Sequence, residues 1–326
     1  MDKFHTKVAI AESPVKITYS RKCLFMGSCF SDYIGEIMAA YKFRIMLNPF
    51  GTLFNPASIA ENLQLLIKGK EFTYEDLNEH NGLWFSFSHY TGFSDPDRNT
   101  CLANINIATG TAIEWLKSCE YLVLTFGTAW VYKYNRTGRL VANCHKLTAS
   151  AFTRSLMNPA EIIAGFNDLI LALRKYNPHI RVIFTLSPVR HWADGAVNNQ
   201  LSKAILHYSI QEILKNHEGI YYFPSYEIFM DELRDYRFYA EDMLHPSDQG
   251  ARYVWERFSD TWIDDTSKKI IQEVSAILKA AGHRPLNAET FAHKKFRQDT
   301  LQKIEQLVKI YPFMDFSREI EIMNKT

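Results

Sequence analysis

Two short segments of this 326-residue chain carry residue types that can do nucleophilic chemistry, and they lie far apart in sequence. Gly27-Ser28-Cys29-Phe30-Ser31 sets a hydroxyl beside a thiol, and Asp242-Met243-Leu244-His245-Pro246 sets a carboxylate three residues before an imidazole. An Asp-x-x-His spacing lets the carboxylate hold the ring by its Nδ1–H, which fixes the tautomer and leaves Nε2 as a base. A base has to meet its nucleophile only in space, so the sequence gap is no obstacle. Taken singly, the first segment reads as a Gly-Ser turn before a buried cysteine, and the second as a solvated pair. Together they describe base-assisted attack by a side chain.

Both segments need elements to position them. Residues 23–26 form an apolar run that reads as a buried strand, and residues 32–40 have helical spacing with an acid in the first turn. The turn between them therefore lies at a helix N-terminus, where unpaired N–H groups and the dipole favour an anion and lower a thiol pKa. Further strands are expected at 44–47, 121–126, 181–186 and 220–223, with helices at 159–176 and 201–216 between the later ones. This alternation predicts a three-layer α/β/α fold with a mainly parallel sheet. Residues 130–134 and 139–142 read as an inserted hairpin around Asn135-Arg136-Thr137-Gly138, and Trp84, Phe85, Phe87 and Tyr90 alternate as in a strand. From Gln249 onward the pattern is helical only, broken at Gly282-His283-Arg284-Pro285. The expected organisation is one α/β domain over residues 1–265 and a helical C-terminal extension over 266–326.

Other polar residues fall at strand ends. Arg190, in Ser187-Pro188-Val189-Arg190-His191, follows the strand at 181–186 and is a candidate contact for a carboxylate or phosphate, with His191 a weaker one. Asn143-Cys144-His145-Lys146 closes the hairpin and offers His145 and Lys146 to a polar substrate group. The balance of 37 basic and 36 acidic residues leaves a net charge of +1 and no footprint for nucleic acid. Five cysteines without a Cys-x-x-Cys pair fit a reducing compartment rather than a disulfide framework or a zinc site. The N-terminus does not read as a signal peptide, and no apolar run approaches the ~20 residues that span a bilayer. A soluble, cytoplasmic protein is expected, with no membrane partner. No metal site, P-loop or dinucleotide fingerprint occurs, so no cofactor is expected.

The segment Gly27–Ser31 resembles the signature of the GSCFA domain family, which is similar to the SGNH (GDSL-type) hydrolases. Asn48-Pro49-Phe50-Gly51-Thr52, Thr125-Phe126-Gly127-Thr128-Ala129-Trp130, Asn143–Lys146, Ser187–His191 and Asp242–Pro246 agree with it in order, over roughly residues 20–260. The resemblance implies an SGNH-like (flavodoxin-like) sheet and an ester hydrolase or acyltransferase acting on a small-molecule ester or an acylated carbohydrate. Laid over the Gly-Asp-Ser block of those enzymes, Gly27-Ser28-Cys29 puts Cys29 at the nucleophile; an offset of one gives Ser28. The thiol is favoured, because at a helix N-terminus it needs less help than a hydroxyl. His245 and Asp242 become base and orienting acid, and Gly51 the oxyanion donor of the second block. The third block, Gly-x-Asn-Asp, is lost in Gly127-Thr128-Ala129-Trp130, a donor commonly worth ~3 kcal/mol. Thr128, Asn48, Asn143 or His145 are the groups that stand to replace it. A non-catalytic ligand-binding module on a hydrolase scaffold is the alternative that this loss motivates.

Overall fold

The computed structural model describes residues 6–283 and 290–325. Strand β1 (Cys23–Gly27) runs into helix α1 (Cys29–Ala40), followed by β2 (Ile45–Leu47) and α2 (Pro56–Ile67). A hairpin of β3 (Asn78–His80) and β4 (Leu83–Phe85) leads to α3 (Arg98–Ser118) and β5 (Tyr121–Phe126). Next come β6 (Trp130–Tyr134), β7 (Leu140–Val141) and β8 (Phe152–Leu156), then α4 (Pro159–Tyr176), β9 (Arg181–Leu186), α5 (Gly195–Asn216) and β10 (Ile220–Phe223). The chain closes with the one-turn α6 (Ser225–Glu227), then α7 (Asp248–Trp262), α8 (Asp265–Gly282), α9 (Phe291–Ile310) and α10 (Ser317–Lys325).

Five strands form a parallel sheet in the order β10-β9-β5-β1-β2. Its inner strands are apolar at nearly every position because both faces are covered, and the two-residue period sorts the side chains between them. Leu24, Met26, Leu122 and Leu124 pack with Leu63, Ile105, Phe166 and Leu206 of α2, α3, α4 and α5. Cys23, Phe25, Tyr121 and Val123 pack on the other face with Ile34, Val254, Val274 and Ile304 of α1, α7, α8 and α9. The result is a three-layer α/β/α fold with a mainly parallel sheet. Strand order reverses direction at β1, so the crevice beyond the C-terminal ends of β1 and β5 is the topological switch point.

Helix starts follow local chemistry. Asn55 caps α2 by accepting from Ser58 N–H at 2.8 Å, with Pro56 behind it, and Asn158 and Glu161 form a capping box at α4. Helix α1 departs from this pattern: its N-cap, Ser28, makes no side-chain capping bond.

Several elements differ from the sequence expectation. The inserted hairpin is a three-stranded antiparallel ribbon, β7-β6-β8, because the polar Thr153-Arg154-Ser155 of β8 pairs with β6 without an apolar run to announce it. The aromatic alternation at 84–90 yields only Leu83–Phe85 as strand, since Ser86 O accepts His89 N–H at 3.1 Å and turns the chain. Helix α3 was hidden by its small and polar residues, yet Cys101, Ile105, Thr109, Ala112 and Leu116 bury one face at helical spacing. Helix α5 starts at Gly195, earlier than residue 201. Of the expected break at 282–285, Arg284 and Pro285 lie outside the described residues, as do Met1 to His5 of the N-terminus.

The C-terminal helices dock near the α1–β2 corner. Lys42 Nζ lies 3.1 Å from Glu319 Oε1 and 5.1 Å over the Phe316 ring, and Arg44 covers Phe313. Among the described residues no helix is long and apolar enough to cross a membrane.

The end of β1 presses against β5. Gly27 has φ +148°, and a Cβ on it would stand 2.3 Å from the carbonyl oxygen of Thr125. Gly27→Ala is therefore expected to cost ~3 kcal/mol, from overpacking and backbone strain together. Urea denaturation measures this, and an unchanged midpoint would refute the strand contact as a steric limit.

Candidate active site

The turn at Ser28 and Cys29 opens into the crevice at the switch point. Ser28 N–H donates to Thr125 O at 3.1 Å and Ser31 Oγ to Thr125 Oγ1 at 2.6 Å, which fixes the start of α1 on β5. Asn48, held at φ +36°, ties the turn together from below. Its Oδ1 accepts Gly27 N–H at 2.8 Å, and its Nδ2 donates to Asp32 Oδ1 at 2.6 Å. Thr52 Oγ1 donates to the other Asp32 oxygen at 3.3 Å. Asn48 is thus a brace of the nucleophile turn, with its amide already engaged.

Ser28 and Cys29 differ in accessibility. Ser28 is 1% exposed, and its Oγ is buried without a hydrogen-bond partner. Cys29 is half-buried. Its thiol is pushed up to about 11, first by burial and then by Asp32, while Lys203 and the N–H groups of Cys29 and Phe30 act in the opposite direction. The sequence expectation of a lowered thiol pKa is thereby reversed, because desolvation outweighs the helix N-terminus.

The loop that leads into α7 bears Asp242 and His245. Their Oδ2 and Nδ1 are 2.5 Å apart, and Asp242 Oδ1 accepts the N–H groups of Leu244 and His245, both at 2.9 Å. Those contacts, the His245 N–H first, pull the Asp242 carboxyl down to about 2. Met243 takes φ +58° to close this small loop, and Ala240 N–H ties it to His245 O at 2.8 Å. Burial raises the pKa of Tyr33 on α1, and the charges of Cys29, Asp248 and Asp242 add to that shift. No hydrogen bond joins the Cys29 sulfur to His245 in this state.

The remaining sequence-derived residues divide sharply. Gly51 N–H donates to Asn48 O at 2.7 Å, so it is not free for an oxyanion; its lack of a Cβ accommodates Tyr90, whose ring a Cβ would meet at 2.1 Å. Thr128 turns into α5, with Oγ1 3.1 Å from Ser202 Oγ and accepting Trp130 N–H at 3.2 Å. Asn143 Oδ1 accepts His145 N–H at 2.8 Å and shapes the local turn. His145 is buried away from the mouth: it stacks on Phe85 at 4.1 Å, and its Nε2 lies 3.0 Å from the carbonyls of Ser86 and His89. Burial lowers its pKa, as befits a satisfied core imidazole. Arg190 and Asp242 line a common cavity of about 600 Å³.

Two residues that sequence reasoning passed over or ranked low stand at the centre. Lys203, on α5, is fully buried, and its Nζ donates to Gly127 O at 2.7 Å and Ser187 O at 2.6 Å, the chain just beyond β5 and β9. Burial brings its pKa down to about 7, against the charge of Cys29. Its signal was present in the sequence: a lysine in phase with Leu206, Ile210 and Ile213 on the buried face of a helix. His191 is the second. A Cβ on Gly127 would lie 3.3 Å from both His191 Nε2 and Ser28 Cβ, so the ring stands beside the nucleophile turn. Buried Asn199 holds its N–H at 3.0 Å, and burial followed by Lys203 lowers its pKa to about 4.

Comparisons with known proteins gave matches to two family models and to several solved structures. The model of the GSCFA family matches residues 22–258, and that of the GSCFA domain protein C-terminal domain matches residues 274–326. No curated protein sequence matches the chain. Solved structures that resemble it include an acetyl xylan esterase from Butyrivibrio proteoclasticus, at 11% identity and TM-score 0.37. The alignment covers 75% of this chain and 65% of that one, so the chain spans slightly less than two thirds of its length. A family 3 carbohydrate esterase from Talaromyces cellulolyticus aligns at 10% identity over 78% of this chain and 99% of that one, TM-score 0.35. A family two carbohydrate esterase from Clostridium thermocellum, solved with cellohexaose, aligns at 12% over 78% and 66%, TM-score 0.38.

Lys203 makes a prediction about stability. Its folded pKa of about 7 lies below the ~10.4 of an unfolded lysine, so between these values the unfolded chain binds the extra proton. This group therefore destabilises the fold at neutral pH and below, and its penalty fades as pH rises, by at most ~1.4 kcal/mol per pH unit. Wild type is expected to gain on Lys203→Met as pH rises through that window in urea denaturation. Parallel pH curves would sink the assignment.

Proposed function

The chain belongs to the GSCFA family, and from that premise we propose that it is an ester hydrolase or acyltransferase using Cys29, His245 and Asp242. The observation that carries this reading is the Asp242–His245 pair, 2.5 Å apart at Nδ1, in a chain whose Cys29 starts a helix at the end of a parallel strand. Holding Nδ1 leaves Nε2 as the basic nitrogen. The accessibility of Cys29 against the buried Ser28 favours the thiol as nucleophile.

In this reaction Nε2 of His245 takes the thiol proton as Cys29 sulfur attacks the ester carbonyl carbon. The tetrahedral intermediate collapses with loss of the alcohol, which receives that proton, and leaves an acyl-thioester on Cys29. Water, deprotonated by His245, then releases the carboxylic acid; an alcohol or amine acceptor in place of water gives acyl transfer. The raised thiol pKa fits a mechanism in which the proton leaves only as the base accepts it. The N–H groups at the start of α1 are the oxyanion donors in this scheme. The substrate is an acylated carbohydrate or a small acylated metabolite, as the similarity to SGNH hydrolases suggests.

A second reading, a ligand-binding module without turnover, draws on two observations: Gly51 N–H is engaged, and Ala129 stands where the third block has its asparagine. A panel of acyl esters separates the two. Hydrolysis is expected from the wild type, with kcat lowered ~10³-fold or more in Cys29→Ala and His245→Ala and ~10²–10⁴-fold in Asp242→Asn. Mass spectrometry should find the acyl adduct on Cys29. Full activity in His245→Ala removes the proposed base, loss in Ser28→Ala with retention in Cys29→Ala moves the nucleophile to Ser28, and a silent panel favours the binding module.

A further inference from the structure

We propose that the cavity beside Asp242 selects substrates bearing an anionic oxygen group, a carboxylate or a phosphate, with Arg190 as its seat. The inference rests on the esterase reading for the word substrate, but its physical basis is independent of turnover. The cavity, about 600 Å³, is lined by Arg190, Trp192, Tyr236, Tyr239, Asp242 and Met243 among others. That volume suits a sugar-sized ligand.

Charge accounting along this wall leaves one group unmatched. Asp242 is held by His245 at 2.5 Å, Asp235 by Arg237 at 2.8 Å and Arg234 by Asp231 at 3.0 Å. Asp194, four residues beyond Arg190, is taken by Arg154. Arg190 itself has no carboxylate partner; its one side-chain hydrogen bond runs from Nη2 to the Met230 sulfur at 3.5 Å. A thioether is a weak acceptor for a guanidinium that carries five donors in a fork matched to carboxylate and phosphate. Behind it, Lys203 is a second cation, and it too meets only carbonyl oxygens. The charge of Arg190 acts on Lys203.

The same wall carries exposed aromatic surface. Trp192 is 53% and Tyr236 75% exposed, and both line the same cavity as Arg190. Aromatic faces of this kind stack on the apolar faces of sugar rings while a fork of donors takes a charged substituent.

Calorimetric titration of the full chain with glucuronate, glucose 6-phosphate and uncharged glucose tests the seat directly. At least one charged sugar is expected to bind about tenfold or more tightly than glucose, and the larger margin distinguishes carboxylate from phosphate. Arg190→Gln, checked for an intact melting transition, should abolish the margin, and Arg190→Lys should restore part of it. Equal binding of charged and neutral sugars by the wild type overturns the inference whatever the variants do, as does a margin that survives Arg190→Gln. Ester turnover without an anion margin defeats this inference alone, whereas a margin without turnover leaves it standing and defeats the esterase reading.

Discussion

Lys203, fully buried with no carboxylate among its hydrogen-bond partners, links two chain segments at the mouth of the sheet at a cost to stability. Taking such a charge out of water costs several kcal/mol, and Lys203 recovers part of this through charge-assisted bonds to the carbonyls of Gly127 and Ser187. Those carbonyls belong to the chain leaving β5 and β9, neighbouring strands of the sheet. Everything downstream inherits their position. The Gly127 turn sets the distance to Ser28, and the Ser187 turn sets where Arg190 and His191 emerge. A carboxylate in the same place would neutralise the lysine; carbonyl dipoles leave its field directed at the thiol of Cys29.

The nucleophile turn is built on a similar tension. A serine at an N-cap normally closes the first turn of its helix, but Ser28 does not, and its hydroxyl stays without a partner. The turn is braced instead by Asn48, which links Gly27 to Asp32 across α1 and the loop after β2. Burial and Asp32 keep Cys29 protonated, while Lys203 and the first N–H groups of α1 pull toward the thiolate. A thiol balanced in this way stays largely protonated and inert to adventitious electrophiles.

The sheet was legible in the sequence because parallel strands buried on both faces leave short, unbroken apolar runs. Strands β5, β9 and β10 appear at the residues that their apolar runs mark, and α4 at the span its periodic face and capping residues mark. Helix α3 and strand β8 were not legible, since small and polar residues carry their contacts. Within the site, Asp242 and His245 could be paired from spacing alone, because a carboxylate and an imidazole three residues apart interact locally. The engagement of Gly51 N–H by Asn48, the turning of Thr128 into α5 and the burial of His145 under Phe85 depend on tertiary neighbours and left no local trace. Lys203 is the instructive omission: a charged residue on an apolar helical face is a sign of a buried polar site, and that sign was in plain sequence view.

Lys42 and Glu319 are 277 positions apart, yet their contact, with Phe316 beneath the lysine, secures the corner between α1 and β2. During synthesis the N-terminal half of that pair emerges long before the other. The corner adjoining α1 is therefore sealed only after α10 has left the ribosome. Until then the nascent chain presents Tyr19, Phe43 and their neighbours to solvent on one side. A chain that stops short of its last helix thus has a nearly complete sheet with an unfinished, sticky flank, and premature termination is more costly here than the modest size of the missing piece suggests.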